Sequence, residues 1–277
     1  MEELNRYLSE IMEKENRKPR AHFEGYSSLE MTHMLYNPLS EYCPVQIQDM
    51  EEEEYLRIPL VKLVKHLLEL IEQSGELKLT VKGKLPLKVV KELYEASSLK
   101  HWYIEKGRIK NYKEGDVETI ILARILVELS RLIKKRNNKL SLTQKGKKIF
   151  QSNRLLFQEL HQVFTEKLNW AYFDGFQDQV PGNFGYIFSL LLLSKYGEQQ
   201  RPVDFYRDKY FKAFPDLLER GIDPQLATNR CYSVRTFTRF LTWYGLVSVK
   251  NGHYREPDFV QTTELFKKLI KVSPHQK

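Results

Sequence analysis

From Leu129 to Gln158 the chain carries nine basic residues, Arg131, Lys134, Lys135, Arg136, Lys139, Lys145, Lys147, Lys148 and Arg154, and no acid. From Pro224 to Arg255 it carries five, Arg230, Arg235, Arg239, Lys250 and Arg255, again without an acid. Cations with no carboxylates between them suit a polyanion, because each one that meets a phosphate releases a condensed counterion. Arg, Ser and Thr can also bond base edges. In the second run Ser233, Thr236 and Arg239, with Arg235 offset, fall on one side at helical spacing. These four and Arg230 form the expected base-reading face. Arg131, Lys134, Lys135, Arg136 and Lys139, with Lys250 and Arg255, form the expected phosphate contacts.

Covalent and acid–base chemistry has thinner support. The best acidic pair is Asp174 and Asp178, four apart in a polar loop. A cation could sit there, but a lone pair reads more simply as a surface loop. GxxxxGK[ST], GxGxxG, GxSxG and HExxH are all missing. Cys43 and Cys231 lie too far apart for a framework, and the seven histidines never come as HxxxH or HxH. His161, beside Leu160 and Phe164, reads as a partly buried helix residue rather than a base. Trp170, Tyr172, Phe173 and Phe176 could stack bases, but read better as a packed junction. No enzyme activity, cofactor or metal is expected.

The elements that must position the basic runs follow from periodicity. Leu60, Leu63, Val64, Leu67, Leu68 and Ile71 recur at helical spacing up to Ser74-Gly75. Leu77-Lys-Leu-Thr80 alternates like a strand, and Pro86 opens a helix through Tyr94. Asp116 is placed to cap a third helix with the stripe Ile120, Ile121, Ile125, Leu129 and Leu132. Two short strands joined at Asn137-Asn138 follow. Leu77–Lys84 echoes Leu140–Lys147 at six of eight positions, which suggests two similar strand-turn-helix starts rather than a solenoid. The second half repeats the order, with helices over about 184–196, 204–214 and 224–244. A strand, an Asn251-Gly252 turn and a strand through Arg255 come next, then a closing helix over about 262–270.

Helix, strand, helix, helix, hairpin is the winged-helix order. Ile133 to Gly146, with its Leu-Ser-Leu-Thr-Gln-Lys-Gly, resembles the wing of many bacterial winged-helix proteins, over about residues 60–150. Ala21-His-Phe-Glu-Gly-Tyr-Ser-Ser-Leu-Glu-Met31 and Asn169-Trp-Ala-Tyr-Phe-Asp-Gly-Phe176 resemble a bacterial family with winged-helix-like domains and no assigned activity. That resemblance implies a bacterial cytoplasmic protein and brings no chemistry with it.

The expected fold is therefore mainly α with small β-hairpins (α+β), as tandem winged helix-turn-helix domains. An acidic helical arm covers 1–57, the first winged helix 58–151, a connecting helix and loop 152–182, and the second 183–277. Charge follows these blocks: 1–57 has six Lys and Arg against thirteen Asp and Glu, and 58–152 has twenty-one against ten. The longest apolar run, Tyr186 to Leu193, is far short of the roughly 20 residues that span a bilayer. The N-terminus lacks the layout of a signal peptide. The expected role is double-stranded DNA binding, as a transcriptional regulator whose helix over 228–244 reads the groove. A protein-interaction module is the alternative, favoured if the Arg235/Arg239 face packs inside the molecule. A plasmid-type replication initiator has a similar outline. An enzyme would need Asp174, Asp178 and a histidine in one pocket.

Overall fold

A computed structural model describes residues 1–38, 40–173, 175–176, 180–218, 224–250 and 258–275. The chain divides into two units: residues 1–48, 176–242 and 246–277 form one, and 49–175 with Trp243–Gly245 form the other. An arm ending at 57 and a connector over 152–182 are not the observed divisions. The first 48 residues fold with the C-terminal module, and residues 152–175 fold with the first.

At the N-terminus α1 (Glu2–Asn16) carries Leu4, Leu8, Ile11 and Met12 at helical spacing, and all four are exposed. Helix α2 (Ser28–Tyr36) opens on a capping box. Ser27 Oγ accepts from the Glu30 N–H, and Glu30 Oε2 accepts from the Ser27 N–H at 2.7 Å. Strand β1 (Val45–Ile47) ends the segment.

In the 49–175 unit α3 (Pro59–Ser74) buries all six leucine, valine and isoleucine positions of its expected stripe. Strand β2 (Leu77–Lys78), α4 (Leu87–Ala96), a single turn α5 (Trp102–Glu105) and α6 (Glu118–Leu129) follow. Asp116 does not cap α6. Its carboxylate accepts from the Lys113 N–H, and Val117 takes the N-cap position. The buried side of α6 is Ile120, Leu122, Ala123, Leu126 and Val127, so the stripe sits rotated from Ile121, Ile125 and Leu129. Strands β3 (Ile133–Arg136) and β4 (Lys139–Leu142) complete a three-stranded antiparallel sheet in the order β2-β4-β3. Asn137 and Asn138, at φ 48° and 58°, make the tight turn that matches strand twist. Helices α7 (Gln144–Ile149) and α8 (Asn153–Glu166) close the unit. Glu52, from the acidic run Glu51–Glu54, accepts from Ser152 Oγ and the Asn153 N–H, both at 2.6 Å, where α8 begins.

The Leu140–Gly146 segment has a steric basis. The Thr143 N–H donates to the Leu132 carbonyl at 2.9 Å, and Thr143 Oγ1 accepts from the Gly146 N–H at 2.9 Å. A Cβ on Gly146 would lie 2.0 Å from the Leu132 oxygen. Gly146→Ala is therefore expected to destabilise the protein by about 1–3 kcal/mol, since a backbone carbonyl cannot swing aside like a side chain. Urea unfolding reads this directly, and an unchanged midpoint would show that the joint yields.

In the other unit α9 (Tyr186–Tyr196), β5 (Arg201–Pro202), α10 (Val203–Ala213) and α11 (Pro224–Ser233) come in order. Helix α11 runs on into a π-helix over Val234–Leu241. Then come β6 (Val247–Lys250), β7 (Phe259–Thr262), α12 (Glu264–Leu269) and β8 (Ile270–Val272). The sheet order is β5-β7-β6, the same as in the first unit. The joint is repeated as well, with the Thr263 N–H donating to the Leu246 carbonyl at 3.1 Å. The return strand is not the one expected to end at Arg255. Lys250 pairs with Phe259, and residues 251–257, including the Asn251-Gly252 turn, lie outside the described residues. Strand β1 joins this unit by pairing antiparallel with β8, Val45 opposite Val272. Glu24 ties the same segment down by accepting from Lys209 Nζ at 2.7 Å, from Lys195 Nζ at 3.1 Å and from the Tyr196 hydroxyl. Burial pushes the Glu24 carboxyl up, but these donors outweigh it and hold it below the usual range.

Candidate nucleic-acid interface

The β2-β4-β3 sheet has one apolar and one basic face because strand side chains alternate. Ile133, Leu140, Leu142 and Leu77 are buried on one side. On the other, Lys78 lies opposite Lys139, and Lys139 lies opposite Arg136, a row of three cations across three strands. Lys134 shares that face two residues along β3, opposite Ser141. All four cations are exposed. Directly opposed like charges cost a sheet stability. Glu76 offsets the row in part by accepting from Lys139 Nζ at 2.6 Å. That hydrogen bond, the Lys139 charge and the fields of Lys134 and Arg136 draw its carboxyl below the usual range.

The hairpin tip is tied to the loop between β2 and α4. Asn138 Nδ2 donates to the Thr80 carbonyl at 2.7 Å and to that of Leu79 at 3.2 Å. Lys135 lies against Gly83, since a Cβ there would meet Lys135 Nζ at 2.9 Å. Lys135, opposite Leu140, is on the other face from Lys134, Arg136 and Lys139 and reaches this loop, which also carries the exposed Lys82 and Lys84. Arg131 sits just after α6 in the left-handed conformation, φ 56°, with its side chain exposed.

The expected base-reading face of the second module is not assembled. Arg235 is only 2% exposed and Thr236 is 0% exposed. Arg239 and Ser233 are half-buried, and Ser233 Oγ donates back to the Asn229 carbonyl at 3.0 Å. Arg230 and Lys250 are exposed, and Arg255 lies outside the described residues. Two causes account for the difference. The π-helical stretch replaces i→i+4 by i→i+5 bonding, so residues at i, i+3 and i+7 no longer share a side. Gly182 then lies over the face: a Cβ on it would meet Arg235 Cβ at 2.8 Å and Thr236 Oγ1 at 3.1 Å. The Arg235 guanidinium also sits 6.0 Å from the Phe176 ring.

A second group of exposed residues stands outside both basic runs. Trp102 and Tyr103 are 52% and 49% exposed, and Arg108 lies 4.5 Å over the Trp102 ring. Between Ala96 and Lys113 the chain has Lys100, Lys106, Arg108, Lys110 and Lys113 against a single acid, Glu105. Aromatic residues interleaved with cations were the available signal.

Asp174 and Asp178 lie outside the described residues. Among the described residues no three His, Cys, Asp or Glu side chains gather as a metal site. Cys43 and Cys231 are buried and unbridged. Of the four aromatics expected to pack as a junction, Trp170 is buried, with Nε1 donating to the Phe164 carbonyl at 2.8 Å, and Phe176 is half-buried, but Tyr172 is 66% exposed.

Fold and surface together define a mainly helical chain with small antiparallel sheets and an exposed basic hairpin, and no described helix is long and apolar enough to cross a membrane. Residues 57–155 are similar to a protein family, the Y4jL N-terminal domain, and that match takes in the hairpin. No curated protein and no solved structure matches the chain.

Proposed function

We propose that the chain binds nucleic acid through the phosphate backbone, with Lys78, Lys139, Arg136 and Lys134 as the principal contact and Lys82, Lys84 and Lys135 beside it. The carrying observation is the exposed row of opposed cations, an arrangement that costs a sheet stability and gains most when an anion bridges it. On this reading both modules are winged helices with the first hairpin as the wing, and the ligand is double-stranded DNA in a bacterial cytoplasm. Transcriptional regulation is the process that suits such a chain. Sequence-reading by Arg235 and Thr236 has no part in it, because both are buried.

Fluorescence anisotropy on a mixed-sequence duplex, titrated across salt, tests this. Log K is expected to fall steeply with log salt. The double substitution Lys134→Gln and Arg136→Gln should flatten the slope by about two units, one per lost phosphate contact. Absence of binding at low salt would end the proposal.

A protein-contact role is the second reading. It is favoured by the packed Arg235 and Thr236 positions and by α1, whose Leu4, Leu8, Ile11 and Met12 are uncovered.

A further inference from the structure

The stretch between α4 and α6 is pinned alongside α4 at both ends. Near the C-terminal end of α4, the His101 N–H donates to the Tyr94 hydroxyl at 2.9 Å, and that hydroxyl donates to Glu105 Oε1 at 2.8 Å. At the N-terminal end, the Leu85 N–H donates to Glu114 Oε2 at 2.6 Å. Helix α4 has ten residues, so the two pins are about 15 Å apart, the length of four or five stacked nucleotide steps. Trp102 and Tyr103 stand at the first pin. The second adjoins the loop that carries Lys82, Lys84 and the reach of Lys135. Exposed Lys106, Arg108, Lys110 and Lys113 occupy the chain between the pins.

The local backbone makes Trp102 a platform. Gly107 adopts φ 66°, which turns the chain back so that the Arg108 N–H donates to the Tyr103 carbonyl at 2.9 Å. Arg108 is thereby placed over the Trp102 ring, and the Tyr103 ring meets that of Trp102 edge-on at 5.0 Å. Half the indole remains open. The acids of the stretch are engaged: Glu105 by Tyr94, Asp116 by the Lys113 N–H, and Glu114 by the buried Arg124.

We infer that Trp102, Tyr103 and Arg108 form a stacking site for an unpaired base, with Lys106, Lys110 and Lys113 leading the strand's phosphates toward the hairpin. This rests on the nucleic-acid reading and adds to it a contact with an unpaired base where the bound duplex is locally opened, which a single strand mimics. Charge complementarity selects the occupant. An aromatic face set in a cationic track suits a polyanion whose units carry π-faces, whereas an apolar protein partner gains nothing from the cations.

Tryptophan emission tests it, because Trp170 and Trp243 are buried and Trp102 is the exposed one of the chain's three. A twenty-nucleotide oligothymidylate is expected to quench the emission of the full-length protein. Heparin, a polyanion without bases, should bind without quenching. Trp102→Ala should remove the quenching and weaken oligothymidylate binding about tenfold or more, and Arg108→Gln should weaken it less. Both positions are exposed, and a circular dichroism melt checks that the variants fold. Unchanged affinity in Trp102→Ala, with or without quenching in the parent, overturns the stacking site. Duplex binding without oligothymidylate binding overturns it too and leaves the backbone reading intact. Failure of both ligands at low salt removes both proposals.

Discussion

Arg124→Leu is expected to cost the 49–175 unit about 3–5 kcal/mol, because it strands a carboxylate in the interior. Arg124 Nη1 donates to both oxygens of Glu114, at 2.9 and 3.2 Å, while Nε donates to Glu128 Oε1 at 3.0 Å. Both Glu114 and Arg124 are buried. With Arg124 gone, Glu114 keeps a single donor, the Leu85 N–H. The double variant Glu114→Leu with Arg124→Leu should recover part of the loss, since no buried charge is then left alone and Glu128 is exposed. It should stay about 1–3 kcal/mol below the parent, because the Leu85 N–H loses its acceptor. Chemical denaturation of the three proteins separates these terms. A single variant within about 1 kcal/mol of the parent would mean that water reaches Glu114. The pair also holds one end of the cationic stretch beside α4, so its loss should weaken oligothymidylate binding even where the variant remains folded.

The second large effect is acid sensitivity seated at His161. The imidazole stacks on Phe157 at 5.7 Å and meets the Tyr244 ring edge-on at 5.8 Å. Burial among these rings holds its pKa at about 4, against 6.5 for the free side chain. Between those values the unfolded chain binds the proton and the folded one does not. The contribution is therefore complete above pH 6.5 and is lost as pH falls toward 4. At about 1.4 kcal/mol per unit this amounts to about 2 kcal/mol by pH 5 and about 3 kcal/mol by pH 4. His161→Phe should keep the packing and remove that dependence. Urea midpoints at pH 7.5 and 5 provide the check, and an equal acid loss in parent and variant would place the sensitivity elsewhere.

Local signals were read correctly where neighbours in sequence settle the structure. The stripe of α3, the Asn137-Asn138 turn and the basic hairpin each depend on residues a few positions apart. The second hairpin differs because Lys250 takes its partner, Phe259, from beyond Arg255, while the expected Asn251-Gly252 turn lies outside the described residues. Trp102 and Tyr103 were missed because a four-residue helix leaves no periodicity to read.

The echo peptides mark the boundary most clearly. Leu77 and Leu140 open nearly the same eight residues and pair with each other in the sheet. Thr80 then closes a turn, with its N–H donating to the Lys84 carbonyl and Gly83 at φ 69°. Thr143 instead caps a helix, because its N–H is taken by the Leu132 carbonyl and Gly146 alone fits against that oxygen. Spacing and composition alone are enough for the α3 helix, the first hairpin and the acid-free basic runs. Packing between distant segments is what joins residues 1–48 to β8, covers Arg235 and Thr236 with Gly182, and stands Lys78, Lys139 and Arg136 in one row. Each of those depends on a segment remote along the chain, and which remote surfaces meet is set by packing of the whole rather than by the pattern of either part.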